Sequence, residues 1–219
     1  MRLVNTFDPK RVSPVTFPSQ PLETEIRQGW EVILKYAGEG EGPFLVDLSH
    51  RPKWDFQDGN LDHVELWGRH VPKDPGQSNW VDGLLINRMN WTQAAIWNLG
   101  AEDLKMPEER AYTDITDGFC LLALVGNEAL AVMEKVSPLD LAQPGKIAPY
   151  LLQGPVMDIP SQIVMLGTRD IMTVLVAFSR GYGQAMAEAL LGAGSEYRLR
   201  PGGERHIRER LRAVANGEF

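Results

Sequence analysis

Three residue types that serve acid–base and nucleophilic chemistry stand almost side by side in "VDLSH", where Asp47, Ser49 and His50 follow an apolar run. Chain segments at strand ends are common places for sites. A nucleophile–base–carboxylate relay needs its groups to converge in space, which such close neighbours cannot do. Asp47 and Ser49 are therefore expected to bind nearby backbone and shape a turn. The four histidines, His50, His63, His70 and His206, form no H-x-x-x-H or H-E-x-x-H pair, so their spacing gives no zinc site. The chain has no G-x-S-x-G, no P-loop and no G-x-G-x-x-G. "GYGQAM" reads as a glycine-rich helix start.

The strongest charge feature lies near the carboxy terminus. Arg198, Arg200, Arg205, Arg208, Arg210 and Arg212 crowd together against Glu196, Glu204 and Glu209. Guanidinium groups bind carboxylates and phosphates through paired hydrogen bonds, so this segment suits an anionic ligand. The same residues also suit a solvated helix face with i,i+4 pairing, such as Glu204–Arg208.

The elements that must position these groups read as a mixture. Residues 1–28 carry Pro9, Pro14, Pro18 and Pro21 and are expected to form an extended arm, with one domain over 29–219. Strands are expected at the start of "GWEVILKYAG", in "PFLVDLSH" up to Asp47, in "KWDFQ", in "GLLI" and "TQAAIWNL", within "YTDITDGFCLLALVG", and in "SQIVMLG" and "DIMTVLVAF". Residues 70–82 read as a polar loop. "VDLSH" and "TDITD" echo one another as acid–Leu/Ile–Ser/Thr turns. Asn127 is expected to cap a helix over "EALAVMEKV", and Ser179 one over "GYGQAMAEALLGAG". Ile207, Leu211 and Val214 are spaced for a third helix. Strands and helices without strict alternation give an α+β fold class.

The chain has 219 residues, 43% of them hydrophobic, enough to bury a sizeable core. Its net charge of −7 argues against nucleic acid as a partner. Its one cysteine, Cys120, is expected to be buried. Most of the six tryptophans are expected to anchor the core, with one or two left for a ligand or partner surface. No signal-like apolar stretch opens the chain, and no apolar run nears the length of a membrane span, so a cytoplasmic protein without membrane contact is expected.

Ordered blocks of the sequence resemble a known family. "GWEVILKYAG" followed by "FLVDLSH" is similar to "GWEMPVQYAG…LFDVSHM" of the glycine-cleavage aminomethyltransferase (T-protein) family. "DGFCLLALVGNEALAVMEKVSPLDL" resembles its central "D..ALLALQGP.A..VL......DL", and "MAEALLGAGSEYRLRPGG…RERLR" its "LWEALLEAGEEFGLKPCG…RDTLR". The resemblance implies a folate-binding fold with ferredoxin-like elements and one-carbon transfer involving tetrahydrofolate. Full-length members continue into a carboxy-terminal barrel, which this chain is expected to lack. That short form resembles the gamma subunit of heterotetrameric sarcosine oxidase.

The departures bear on activity. Thr92, Gln93, Ala94 and Ala95 stand where the family's catalytic acids lie, and neither an amide nor a methyl group accepts a proton at neutral pH. The family's T-G-E is missing, with Asp170 the nearby acid, and Arg51 replaces a methionine. The resemblance makes Arg208 the best-matched functional position, facing a folate carboxylate, with Tyr36, His50 and Arg51 as further contacts to substrate or tetrahydrofolate. No catalytic residue is assigned. The expectation is a non-catalytic or weakly catalytic subunit in tetrahydrofolate-linked one-carbon metabolism, demethylating a methylated amine or similar compound with flavin- or folate-binding partner subunits, or self-associating. A tetrahydrofolate-dependent methyl or aminomethyl transferase and a scaffold on the same fold are the alternatives.

Overall fold

The computed structural model describes residues 10–100, 104–143, 145–167 and 172–215. The first half is strands: β1 (Pro21–Arg27), β2 (Trp30–Tyr36), β3 (Phe44–Asp47), β4 (Lys53–Gln57), the short β5 (Glu65–Leu66) and β6 (Arg69–His70), then β7 (Ser78–Val81), β8 (Leu84–Arg88), β9 (Gln93–Asn98) and β10 (Tyr112–Asp114). The second half mixes β11 (Phe119–Val125), α1 (Ala129–Glu134), β12 (Tyr150–Val156), β13 (Ile159–Met165), β14 (Thr173–Ser179), α2 (Gly183–Ala193), β15 (Arg200–Gly202) and α3 (Arg205–Ala215). The fold class is α+β, as expected.

A six-stranded sheet has the order β12-β13-β14-β11-β3-β15 and a five-stranded sheet the order β10-β4-β9-β8-β7. β11 explains why the larger sheet is so apolar. Successive side chains point to opposite faces. Cys120, Leu122 and Leu124 enter the core shared with α1 and α2, while Leu121, Ala123 and Val125 enter the core shared with the smaller sheet and α3. Both faces are buried, so the strand is a continuous apolar run. α3 adds Ile207, Leu211 and Val214 to that second core, as their spacing predicts. A third core lies on the far side of the smaller sheet, around Trp54, Ile86 and Ile96. Cys120 is buried, and its thiol is pushed up to about 12 by burial and by Asp47.

The chain crosses between the sheets from β3 to β4 and returns from β10 to β11, and here the sequence echo becomes a structural one. Asp47 accepts the Ser49 N–H at 2.9 Å, and Asp114 accepts the Thr116 N–H at 2.9 Å. The Ser49 hydroxyl accepts the Leu121 N–H at 3.3 Å, and the Thr116 hydroxyl accepts the Lys53 N–H at 3.0 Å. Between them, Leu48 N–H donates to the Leu121 carbonyl and Ile115 N–H to the Lys53 carbonyl. Each crossing is pinned by the element that begins or ends the other.

Several expectations change. Within the segment expected as an extended arm, Pro21–Arg27 forms a strand, and Val15 and Phe17 before it are buried in the α1/α2 core. Residues 70–82 are not all loop, since β7 forms within them, and β12 is a further strand beyond those expected. Neither helix carries the expected side-chain cap: Glu128 precedes α1, and a 3-10 turn over Arg180–Tyr182 separates Ser179 from α2.

Two glycines hold the ends of the chain on this frame. A Cβ on Gly183 would sit 2.6 Å from Pro14, where the arm crosses α2. A Cβ on Gly203 would sit 2.2 Å from the Leu34 carbonyl oxygen, against rigid backbone. Gly203→Ala is expected to force β2 and the start of α3 apart and to cost about 1–3 kcal/mol, the usual range for overpacking. Thermal unfolding should fall by several degrees, and an unchanged melting temperature would refute the close packing.

Candidate functional site: a buried glutamate caged by arginines

The centre of the site is Glu204, the residue before α3. β15 runs parallel to β3 and delivers Gly203 and Glu204 against β2. Gly203 N–H donates to Glu39 at 2.6 Å, and Glu204 N–H donates to the Ile33 carbonyl at 2.9 Å. His206 reaches the same Glu39 at 2.8 Å while stacking on Phe44 at 3.7 Å between ring centroids. The backbone is thus fixed, and the Glu204 side chain turns inward, wholly buried.

Four side chains from three other places close on it. Arg27, ending β1, grips both oxygens at 2.8 and 2.7 Å. His50 lies 2.9 Å and Arg51 2.5 Å from Oε1. Arg208, one helical turn on, donates its Nε to Oε2 at 2.8 Å. Glu25 adds an outer carboxylate, 2.8 Å from Arg27 and 3.5 Å from Arg208. The Asp47 turn aims His50 and Arg51 at this point, with the Ser13 hydroxyl donating to its second oxygen at 2.5 Å. Lys53, itself buried, donates to the carbonyls of Ser49 and Arg51 at 2.9 and 2.8 Å. Burial lowers the Lys53 ammonium to about 8, against the opposing charge of Asp47.

Burial alone would push the Glu204 carboxyl up. The His50 hydrogen bond and the charges of Arg51, His50 and Arg27 together outweigh burial and hold it down to about 2. Burial lowers His50 despite its bond to Glu204. Two clefts flank Arg51. One, of about 250 Å³, is walled by Arg27, His50, Arg51 and Pro52. The other, of about 280 Å³, lies between Trp80, Leu99 and Leu211, with Arg51, Arg208 and Arg212 at its walls. The buried Nε of Arg51 and Nε1 of Trp80 have no hydrogen-bond partner among the described residues.

Of the residues singled out from sequence, His50, Arg51 and Arg208 converge, and their shared partner is Glu204. The i,i+4 pair Glu204–Arg208 forms, but with its carboxylate buried rather than on a solvated face. Tyr36 has no place in the cage. Its ring is buried edge-on to Phe17, 6.0 Å between centroids, beside a 30 Å³ cavity that also touches Asp47 and His50; burial and Asp47 raise its hydroxyl. Arg27, Glu25 and Lys53 were missed, and no local pattern marks them. At the positions of the missing acids, Thr92 is exposed and Gln93 donates to Asp55 at 2.7 Å, while Ala94 and Ala95 pack into cores on opposite faces of the smaller sheet. Asp170 lies outside the described residues. Among these residues no group of His, Cys, Asp and Glu could hold a metal ion.

The architecture has a counterpart among solved structures. A chain of the heterotetrameric sarcosine oxidase from Corynebacterium sp. U-96, solved in complex with pyrrole 2-carboxylate, aligns with a TM-score of 0.58 at 15% identity, over 70% of this chain and 84% of that one. The two chains share a fold. No family model matches the sequence, and no curated protein does. No described helix is long and apolar enough to cross a membrane.

The depressed Glu204 pKa fixes a pH dependence. Ionised Glu204 favours the folded state above its ordinary value of 4.5, and this contribution, about 3 kcal/mol, is lost as pH falls toward about 2. Glu204→Gln leaves the partly exposed Arg27, Arg51 and Arg208 without their counter-charge and is expected to cost about 3 kcal/mol at neutral pH. Urea unfolding from pH 7 to pH 2 should show this loss shrinking with acidity. A constant difference between the two proteins would refute the cage.

Proposed function

We propose that this chain is a non-catalytic subunit of a heteromeric, sarcosine oxidase-like enzyme in one-carbon metabolism. The observation that carries the reading is that the chain's own Glu204 occupies the arginines that would otherwise hold a ligand's carboxylate. Arg27 and Arg208 both bind it, and Arg51 reaches it at 2.5 Å. Glu204, with Glu25 outside it, offsets two of the three guanidinium charges, which reduces what a second anion gains there. The β8–β9 hairpin strengthens the reading, because alanines fill the strand where the resemblance would place acids. The fold shared with a chain of a heterotetrameric oxidase fits a subunit that relies on partners for its redox chemistry. Demethylation of a methylated amine with tetrahydrofolate as acceptor would then occur on flavin- or folate-binding partner subunits.

One observation favours a second reading, a tetrahydrofolate-dependent methyl or aminomethyl transferase. The 280 Å³ cleft joins an apolar floor to Arg51, Arg208 and Arg212, and the Trp80 indole N–H has no partner among the described residues. Such a cleft suits a flat ring with an anionic tail, and methyl transfer gains much of its rate from orientation alone.

A tetrahydrofolate titration of the purified chain, followed by calorimetry and tryptophan fluorescence, separates the two. The subunit reading expects no saturable binding up to millimolar ligand. Micromolar binding that weakens at least tenfold in Arg208→Ala would overturn it in favour of the transferase.

A further inference from the structure

His50 has two ring nitrogens, and the cage uses one. Nε2 lies 2.9 Å from Glu204 Oε1, and an ionised carboxylate can only accept, so Nε2 carries a proton. Nδ1 of the neutral ring is then an acceptor with a lone pair to place. Among the described residues no hydrogen bond reaches it. His50 also borders the 30 Å³ cavity between the arm, β2 and the end of β3, together with Ser13, Trp30, Tyr36 and Asp47. Trp30 and Tyr36 are 2% and 4% exposed, too little for bulk water to serve their polar atoms. The Trp30 indole N–H has no partner among the described residues, and neither has the Tyr36 hydroxyl. Asp47 accepts the Ser49 N–H and hydroxyl and the Ser13 hydroxyl, which leaves room for one more of the roughly four bonds a carboxylate takes. Buried polar groups ordinarily find a partner, so two donors and two acceptors around one small space call for an occupant.

Water matches that set. It donates two hydrogen bonds and accepts two, so it can donate to Asp47 and His50 Nδ1 while accepting from Tyr36 and Trp30. Its share of liquid volume, about 30 Å³, equals the space. Cavities that stay dry are apolar, whereas a polar one with several partners holds water as part of the structure. A metal ion suits the site poorly, because the Trp30 N–H offers it no lone pair. We propose that one water molecule is built into this cavity and joins Tyr36 and Asp47 to His50 Nδ1, which makes Tyr36 a positioning residue for the Glu204 cage. Tyr36 then serves the site through its hydroxyl while its ring serves the core. The arm is tied to the cage by the same link, since Ser13 donates to the Asp47 carboxylate that holds the water. The water site is independent of what the flanking clefts bind.

A high-resolution crystal structure of the full chain tests the water directly. It is expected to show one density peak within about 3 Å of the Tyr36 hydroxyl, an Asp47 oxygen and His50 Nδ1. Nitrogen NMR of labelled histidine, in mildly alkaline buffer where the ring is neutral, tests the positioning. The parent chain is expected to show His50 protonated at Nε2, with Nδ1 a hydrogen-bonded acceptor. Tyr36→Phe keeps the buried ring and removes only the hydroxyl that anchors the water. It is expected to shift the His50 Nδ1 resonance by several parts per million and to leave Nε2 protonated on Glu204. A hydroxyl with a merely structural role would move neither nitrogen. A cavity without density, a water out of reach of Nδ1, Nδ1 bonded directly to a protein atom, or an Nδ1 resonance unmoved in Tyr36→Phe would each overturn the proposal. If Tyr36→Phe does not fold, the density and the Nδ1 state of the parent chain still decide. None of these results touches the subunit reading, which falls separately through tight tetrahydrofolate binding.

Discussion

A buried carboxylate must be compensated or it destabilises the fold, and Glu204 is compensated by four side chains from three parts of the chain. That requirement ties distant parts of the chain together. Arg27 comes from the amino-terminal hairpin, His50 and Arg51 from the first crossing between the sheets, and Arg208 from the last helix. Removing Glu204 would leave three guanidiniums facing one another, so the cage behaves as a unit. The hairpin is held in orientation by this cluster and by the Glu23–Arg205 pair.

The crossing turns supply the precision the cage needs. Asp47 and Asp114 fold equivalent turns, and each hydroxyl that follows binds backbone at the start of the other crossing's strand. Lys53 then fixes the carbonyls on either side of His50. A second buried cation shows the same economy in the smaller sheet. Arg88 binds Asp62 at 2.9 Å and the Pro72 carbonyl at 3.1 Å, and it donates to the carbonyls of Asn90 and Trp91 in the tip of the β8–β9 hairpin. In the stretch that lacks the expected acids, polar groups are thus spent on holding its own turn.

Much of the fold was legible where physics acts locally. The apolar runs of β3, β11 and β14 and the alternation in β4 announce strands because each is buried on at least one face. Leu211 and its neighbours announce α3 by period. The strands that escaped are edges: β7 borders the five-stranded sheet, β12 the six-stranded sheet, and β1 its own hairpin. Edge strands tolerate proline and polar residues, as Pro155 in β12 and Pro21 in β1 illustrate, and so lose the pattern that reveals central strands. The site was legible only in part. Glu204–Arg208 is written at helical spacing, and the family resemblance drew attention to His50 and Arg51. Nothing near Arg27 in the sequence points to a partner 177 positions away, and Tyr36 entered by resemblance although its ring belongs to the core.

The central claim is that Glu204 is the resident anion of an arginine site, and chemical rescue tests it most directly. Glu204→Ala should open that site, and formate or acetate should enter it. Thermal unfolding followed across millimolar formate is expected to show saturable stabilisation of Glu204→Ala and none of the parent chain at matched ionic strength. Equal stabilisation of both proteins, or no response in the variant, would contradict the account, because the arginines would then be either open to outside anions already or not a built anion site.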